Sequence, residues 1–247
     1  MGSGIGPRKP RRLGCELLER RLLLKTPFLI ADLLAAEADG SDGVAIHSNV
    51  NGDSFGFALS ADGDFNKDGI DDLLIGAPDD PSGSAVYVIF GTHDRAAEFD
   101  PATLDGTNGF KVGTSDRSKS LGTTVGNAGD VNGDGIDDII VGAPGGGLSD
   151  RRSAFVVFGR RDGQPAFIDV TTLDLTNGFV IYAPGGSSQF GVRVAGVGDV
   201  NADGFDDVAV SPAYGGAGYV VFGKAEFTSD IDLGTTTSDE ALKVSGF

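Results

Sequence analysis

The chain is poor in the residues from which disulfides, zinc sites and membrane spans are built. Its 247 residues include one cysteine, Cys15, so no intrachain disulfide can form. That cysteine and two histidines, His47 and His93, offer too few nitrogen and sulfur ligands for a zinc site. No apolar run reaches the roughly 18 residues that a membrane-spanning helix needs. In such a chain a structural cation can replace disulfides as the stabilising link.

Positive charge is also scarce, except at the start of the chain. The net charge is −17, yet residues 1–25 hold seven Lys and Arg against two Glu. An acidic body of this kind argues against a nucleic-acid partner and for bound cations. We expect residues 1–27 to form a basic lead-in, either disordered or a short helix, and residues 28–247 to form the folded segment.

Three copies of a 24-residue block carry much of the negative charge. The blocks at 55–78, 121–144 and 190–213 align without a gap, at spacings of 66 and 69 residues. Each begins with an apolar residue and glycine, continues through an aspartate-rich turn and ends in an apolar run, as in GDFNKDGIDDLLIGAP. An alternating apolar strand ending in Phe-Gly follows each block. This period and the 40 glycines predict an array of short strands, as in a propeller or solenoid.

The acidic turn has the pattern expected of a loop that wraps a hard cation. In the first copy, side chains at positions 1, 3, 5 and 9 and the carbonyl at position 7 can converge on one point. An oxygen-only, carboxylate-rich site with six to eight ligands suits Ca²⁺ better than Mg²⁺. Without an ion, carboxylates this close repel one another and raise one another's pKa values. We therefore predict about three Ca²⁺ ions, one in each turn.

An EF-hand or dockerin loop is the alternative interpretation of these nine positions. An EF-hand requires a bidentate acid at position 12 and a helix after the loop. Position 12 here is Ile75, Val141 and Val210, and the residues that follow are β-rich and end in turn residues. We therefore expect each loop to join two strands.

With the apolar-glycine pair before each loop and Gly-Ala-Pro after it, the chain resembles the FG-GAP repeats of integrin α-subunit β-propellers and their bacterial relatives. The resemblance covers about residues 28–247. It implies an all-β fold, a partial, open or truncated β-propeller of about three four-stranded antiparallel blades with calcium-binding loops. The strands that it implies for the first full blade lie near Phe55–Ser60, Leu73–Gly76, Ala85–Phe90 and Gly109–Thr114. Two departures concern blade packing, namely Leu121 in place of phenylalanine and Ser211-Pro212-Ala213 in place of Gly-Ala-Pro.

The resemblance also implies the calcium ligands, which transfer position by position onto the three turns. Positions 1, 3, 5 and 9 supply side chains and position 7 supplies its carbonyl. The first set is Asp64, Asn66, Asp68, Ile70 and Asp72; the second is Asp130, Asn132, Asp134, Ile136 and Asp138; the third is Asp199, Asn201, Asp203, Phe205 and Asp207.

A Gly-x-Ser-x-Gly sequence at Gly52–Gly56 is the one enzymatic motif in the chain. A nucleophile elbow needs a preceding strand, a following helix and a downstream acid and histidine. His93 is the only downstream histidine, no helical pattern follows Ser54, and its repeat equivalents are Ser120 and Gln189. We interpret the motif as the start of a repeat strand and expect no catalytic site.

The resemblance implies a binding module in an extracellular or cell-surface setting that engages a protein or glycan ligand. The alternative is a non-catalytic propeller region attached to a secreted hydrolase. A complete propeller of this family has seven blades, whereas this sequence holds three ion-loop cores with an incomplete unit at each end. We therefore expect a segment of a larger propeller or a genuine open array, with missing blades or self-association covering the open edges.

Overall fold

The computed structural model describes residues 44–48, 50–93, 98–145, 152–185, 189–213 and 217–245. The chain divides into two compact units, one of Ile46–His93 with Asp100–Phe247 and one of Met1–Ala45 with Asp94–Phe99. The predicted lead-in at 1–27 and its boundary at residue 28 lie outside the described residues. The strands β1 (Ala45–Ile46) and β5 (Glu98–Phe99) form a two-stranded sheet.

The larger unit consists of three antiparallel sheets, each a meander of four strands that we call a blade. Blade 1 contains β2 (Leu59–Gly63), β3 (Asp72–Ala77), β4 (Ala85–Ile89) and β6 (Gly109–Gly113). Blade 2 contains β7 (Thr124–Gly129), β8 (Asp138–Ala143), β9 (Ser153–Val157) and β11 (Gly178–Tyr182). Blade 3 contains β12 (Phe190–Gly198), β13 (Asp207–Pro212), β14 (Gly218–Val221) and β16 (Ala241–Val244). The fold is thus all-β, a partial β-propeller, as predicted.

Two short strands extend the predicted four-stranded blades. Strand β10 (Phe167–Asp169) comes from the connection between β9 and β11 of blade 2, yet it pairs in parallel with β6 of blade 1. Strand β15 (Ile231–Asp232) likewise leaves the blade 3 connection and pairs in parallel with β11 of blade 2. Blades 2 and 3 therefore each supply a strand to the outer edge of the blade before them. Runs of two or three residues are too short for their pattern to predict this pairing.

The first strand of blade 1 begins later than the predicted Phe55–Ser60. Ser54 has a φ of 54° and Gly56 a φ of 87°, so the chain makes a left-handed turn there. The amides of Gly56 and Phe57 both donate to the carbonyl of Gly76, and regular pairing starts only at Leu59. The corresponding residues Ser120 and Gln189 also have positive φ, so this turn recurs in all three blades.

The hydrophobic core lies between successive blades. The inner strands β2, β7 and β12 contact one another in order, and two apolar layers fill the spaces beside them. The layer between blades 1 and 2 includes Leu74, Val86, Phe110, Leu121, Ile139 and Phe155. The layer between blades 2 and 3 includes Ile140, Val156, Phe179, Phe190, Val208 and Val221. Leu121, the departure from the family pattern, is as fully buried as Phe190 at the same repeat position.

Glycines allow the blades to approach closely. A Cβ on Gly76 would lie 2.1 Å from the carbonyl oxygen of Gly122, and a Cβ on Gly142 would lie 2.0 Å from that of Gly191. The glycine of Gly-Ala-Pro in one blade therefore packs on the glycine of the apolar-glycine pair in the next. This contact explains why both motifs accompany the acidic turn.

Helix is minimal in the part of the chain that the structure describes. It amounts to three single 3₁₀ turns at Pro101–Thr103, Arg117–Lys119 and Val170–Thr172. The side chains of Asp100, Asp116 and Asp169 cap these turns by accepting hydrogen bonds from backbone amides. Within the same residues no helix is long and apolar enough to cross a membrane.

Candidate metal centre

The three acidic turns occupy equivalent places in the three blades. We call residues 64–72 loop 1, residues 130–138 loop 2 and residues 199–207 loop 3. Each loop connects the innermost strand of its blade to the second strand, and its ninth residue is the first residue of that second strand. The loops therefore join strands, as predicted, and no EF-hand helix follows them.

The first aspartate of each loop closes the turn by binding amides across it. In loop 1 the carboxylate of Asp64 accepts hydrogen bonds from the amides of Asp68 at 3.0 Å and Gly69 at 2.8 Å. Asp199 makes the same pair of contacts in loop 3. Asp130 accepts from Gly135 at 2.8 Å, and its Oδ1 atom is buried without a hydrogen-bond partner.

Positions 3 and 5 form a second layer of contacts inside each loop. Asn66 Oδ1 accepts from the amide of Asp68 at 2.9 Å, while Asn66 Nδ2 donates to Asp68 Oδ2 at 2.9 Å. Asp68 Oδ1 in turn accepts from the amide of Ile70 at 2.9 Å. The same three bonds recur among Asn132, Asp134 and Ile136 and among Asn201, Asp203 and Phe205.

The ninth aspartate is fully buried and fastens the loop to the rest of its blade. Asp138 accepts hydrogen bonds from the amides of Val131 and Gly159, each at 3.0 Å. Asp72 accepts from Phe65 and Gly91, and Asp207 accepts from Val200 and Gly223. One carboxylate therefore connects position 2 of the loop to the Phe-Gly glycine that follows the third strand.

The ionisation of these buried carboxylates is disfavoured by their surroundings. Desolvation by burial raises the pKa of Asp72 to about 6, although two backbone amides oppose the shift. Burial likewise raises the pKa values of Asp138 and Asp207. In each loop the aspartates at positions 1 and 5 add to the increase by charge repulsion. The three acids of a loop thus lie within electrostatic reach of one another.

The residue at position 7 is held against the neighbouring strand end. A Cβ on Gly91 would lie 2.5 Å from Cγ2 of Ile70, and one on Gly159 would lie 2.7 Å from Cγ2 of Ile136. A Cβ on Gly223 would lie 2.7 Å from the Cβ of Phe205. The atom nearest to each of these Cβ positions is the backbone carbonyl oxygen of loop position 8, at 2.4, 2.2 and 2.3 Å respectively. The glycine of Phe-Gly is therefore required by the close approach of the loop at positions 7 and 8.

The structure brings the predicted ligands of each set into one closed loop, with the carboxylates turned onto loop amides. Among the described residues, no three His, Cys, Asp or Glu side chains form a group that could hold a metal ion as they stand. The donor set is nonetheless oxygen-only, and loop 2 contains a buried carboxylate oxygen, Asp130 Oδ1, without a partner. These features fit a hard cation, because an ion would satisfy that oxygen and offset the repulsion among the acids.

The Gly-x-Ser-x-Gly motif is the repeated left-handed turn and not a strand-to-helix elbow. Ser54 Oγ donates a hydrogen bond to Asp79 Oδ2 at 2.6 Å. The two histidines, His47 and His93, are exposed. The motif therefore belongs to the blade architecture, but it forms a turn before the first strand and not the predicted strand start.

A buried polar cluster beside the outer strand of blade 1 was missed by the sequence analysis. The side chain of Asp80 is 4% exposed, and its Oδ2 accepts from Lys111 Nζ at 2.8 Å and Tyr87 Oη at 2.7 Å. Burial alone would raise the pKa of Asp80, but hydrogen bonds from Lys111, Ser82 and Tyr87 outweigh it and lower the pKa to about 2. Only the pairing of β4 with β6 brings Tyr87 opposite Lys111, so no local motif marks the cluster.

Comparison with known proteins supports the resemblance. A family model described as FG-GAP repeat matches residues 55–89 and 121–158. Human integrin alpha-6 is 32% identical over 194 residues, which cover 76% of this chain and 14% of that protein. Integrin alpha-5 of Xenopus laevis is 30% identical over 168 residues, covering 63% and 14%. Integrin alpha pat-2 of Caenorhabditis elegans is 29% identical over 194 residues, covering 72% and 15%.

The chain thus contains FG-GAP repeats and is similar to integrin α subunits, and it spans about 14% of the length of these relatives. The third block lies outside the residues that the family model matches. Its loop nevertheless has the same hydrogen bonds at positions 1, 3, 5 and 9 as loop 1. Blade 3 is therefore a third copy of the same structural unit.

Proposed function

We propose that this FG-GAP repeat chain is a non-catalytic, calcium-stabilised propeller segment that serves adhesion-type binding at the cell surface or outside the cell. The observation that carries the calcium assignment is the buried, unpartnered Oδ1 of Asp130 within an oxygen-only loop that recurs three times. The adhesion-type role is supported by the similarity to integrin α subunits.

Calcium would act here by holding strands together. Positions 1, 3 and 5, the carbonyl at position 7 and the aspartate at position 9 would bind the ion in each loop. Because the ninth residue begins the second strand, an ion links the two inner strands of a blade. At about 2 mM free calcium and a Kd of ~0.1 mM, each site would add about 1.8 kcal/mol to the free energy of unfolding. At cytosolic calcium concentrations this stabilisation vanishes, which favours a location outside the cell.

A protein or glycan ligand would bind at the end of the blades opposite the ion loops. In blade 1 the connection there runs from Pro78 to Ser84, between β3 and β4. The equivalent connections of blades 2 and 3 lie in part outside the described residues. Further blades, or a second copy of this chain, would cover the outer face of blade 3, where Leu242 and Val244 are exposed.

Thermal unfolding with calcium and with chelator tests the calcium assignment. We expect millimolar calcium to raise the Tm of the parent chain and Asp134→Ala to remove about a third of that increase. In chelator, Asp134→Ala should be at least as stable as the parent, because the substitution relieves repulsion between carboxylates. Asp174→Ala is the matched control, because Asp174 is an exposed acid outside the loops whose Oδ1 accepts hydrogen bonds from the amide and hydroxyl of Thr176 in a turn. Identical curves with and without calcium would refute the assignment.

The location is tested separately on the organism that makes the protein. Antibody labelling of intact, unpermeabilised cells, together with an assay of the culture medium, should detect the chain. Detection only after permeabilisation would contradict the proposed location while leaving the calcium assignment untouched.

A further inference from the structure

The aspartate at position 8 of each loop lies outside the predicted ligand set, and in loops 2 and 3 it contacts the loop before it. Asp137 Oδ2 accepts a hydrogen bond from the amide of Asp64 at 3.1 Å. Asp206 Oδ2 accepts one from the amide of Asp130 at 2.9 Å. In both cases the amide belongs to the first predicted ligand of the preceding loop. In loops 2 and 3, the aspartate at position 9 thus binds amides of its own blade, and the aspartate at position 8 binds the preceding loop.

Backbone hydrogen bonds reinforce these two contacts. The amide of Asp206 donates to the carbonyl of Asp130 at 3.1 Å, so these residues bind each other twice. The carbonyl of Phe65 accepts from the amide of Arg160 at 3.0 Å, and that of Val131 accepts from Lys224 at 2.9 Å. Positions 1 and 2 of loops 1 and 2 are therefore both held by the following blade.

A side chain of blade 2 completes the junction between loops 1 and 2. Asn127 Nδ2 donates to Asp137 Oδ2 at 3.2 Å and to the carbonyl of Asp62 at 2.7 Å. This amide places the Asp137 carboxylate beside the end of β2, where loop 1 begins.

The glycine before loop 2 lies against the aspartate of the next loop. A Cβ on Gly129 would lie 2.2 Å from Asp206 Oδ2. A Cβ on Gly63 would lie 2.5 Å from the ring of Phe65 in its own loop and 3.0 Å from Cγ of Asn127 in blade 2. The equivalent Gly198 would meet nothing within 4 Å. Asp71, at position 8 of loop 1, is exposed, whereas Asp137 and Asp206 are half-buried. Asp71 is therefore a control for Asp137 and Asp206, because it has the same motif position without the contact to a preceding loop.

We propose that Asp137 and Asp206 are positioning residues that couple neighbouring loops, so that calcium in one loop strengthens calcium binding in the loop before it. The inference rests on the calcium function proposed above. An ion in loop 2 would fix Asp134 and Asp138, and with them the backbone of Asp137. The fixed carboxylate then holds the amide of Asp64 and preorganises the first ligand of loop 1. Linkage makes the effect reciprocal, so calcium in loop 1 strengthens binding in loop 2 by the same factor.

Calorimetric titration of the full chain with calcium chloride measures the coupling. All variants carry Asp203→Ala, which disables loop 3. Adding Asp134→Ala then leaves loop 1 as the single intact loop, and adding Asp68→Ala instead leaves loop 2 as the single intact loop. With both loops intact, the product of the two stepwise binding constants should exceed the product of the single-loop constants by about fivefold or more. Adding Asp137→Ala should abolish this excess. Asp71→Ala should preserve it, and Asp137→Asn should too, because asparagine keeps an oxygen acceptor for the Asp64 amide.

Hydrogen exchange gives a readout at the contact itself. In Asp68→Ala, which disables loop 1, calcium in loop 2 should slow exchange of the Asp64 amide, and adding Asp137→Ala should remove this protection. If Asp137→Ala fails to fold, the next junction gives the same test. In Asp134→Ala, which disables loop 2, calcium in loop 3 should slow exchange of the Asp130 amide, and adding Asp206→Ala should remove this protection.

The outcomes separate the two proposals. If no loop takes up calcium, the proposed function and the coupling both fail. If calcium binds but the two products agree within error, or the two-loop product is the smaller, the coupling alone is wrong. Equal effects of Asp137→Ala and Asp71→Ala would also overturn it, because of these two aspartates Asp137 contacts a neighbouring loop and Asp71 does not.

Discussion

At the scale of single residues, an ion pair between the buried Asp80 and the half-buried Lys111 makes the stability of blade 1 depend on acid pH. Asp80 has a pKa of about 2 in the folded chain, below its ordinary value of 3.8, because Lys111, Ser82 and Tyr87 stabilise its charge. A depressed folded pKa contributes stability above the unfolded pKa, and this contribution is lost as the pH falls from about 4 to about 2.

Two variants test this pH dependence. Lys111→Met removes the cation, so Asp80 should protonate at a higher pH and the acid-induced loss of stability should begin earlier. Asp80→Asn should lack the titration, so its difference in unfolding free energy from the parent should shrink between pH 4 and pH 2. Chemical denaturation in steps across this range measures both. A constant difference between Asp80→Asn and the parent would contradict the assignment.

The role of an aspartate could be predicted from the sequence where all the groups that it contacts lie in the same loop. The Asp64 and Asp68 contacts are local, so a nine-residue pattern indicates them, and their repetition points to an ion. The roles of Asp71, Asp137 and Asp206, by contrast, depend on residues outside their own loop. Their motif positions are identical, and only the neighbouring blade distinguishes an exposed aspartate from one that binds the next loop. The cluster around Asp80 could likewise not be predicted from the sequence, because the pairing of two strands brings its residues together.

At the scale of elements, the repeated glycines set the distance between blades. A Cβ on Gly142 would lie 2.0 Å from the carbonyl oxygen of Gly191, and rigid backbone cannot relieve that contact without moving a blade. Ser211 occupies the equivalent position in blade 3, which among the described residues has no blade packed on that face. The departure from Gly-Ala-Pro in blade 3 thus falls where the described structure imposes no close contact.

Alanine substitutions at these two positions form a matched pair. Gly142→Ala should lower the free energy of unfolding by about 1–3 kcal/mol, the usual cost of overpacking a well-packed interior. Ser211→Ala should change it by less than about 0.5 kcal/mol, as for a surface substitution. Urea denaturation in calcium-containing buffer compares the two. Equal losses would show that the glycine contact between blades 2 and 3 is dispensable.

Some strand positions follow from the sequence pattern and others do not. The second, third and fourth strands of blade 1 lie close to their predicted positions, because long apolar runs between turn residues specify them. The first strand starts late because the left-handed turn at Ser54 and Gly56 takes up residues whose pattern resembles a strand. Strands β10 and β15 were missed, since two or three residues acquire a strand conformation only from the edge that they join.

At the scale of the whole molecule, the burial of the central strands shows which blade faces are covered. Every residue of β8 in blade 2 is buried, because blades 1 and 3 pack on its two faces. In β13 of blade 3 only half the residues are buried, and on β16 both Leu242 and Val244 are 51% exposed. Strand β16 is also the edge of its sheet in the described residues, whereas β6 and β11 each accept a parallel strand there.

An exposed apolar face next to an unpaired edge predicts that the chain associates with itself, because edge strands pair readily and apolar contacts stabilise the pairing. The double variant Leu242→Thr with Val244→Thr keeps β propensity while reducing apolar surface. We expect it to weaken self-association by about tenfold, which corresponds to ~1.4 kcal/mol. Leu59→Thr is the control, since Leu59 is 64% exposed but lies on the inner strand of blade 1. Sedimentation velocity over a range of protein concentrations measures the effect in calcium. A parent chain that stays monomeric throughout, or equal weakening by Leu59→Thr, would show that blade 3 does not mediate the association.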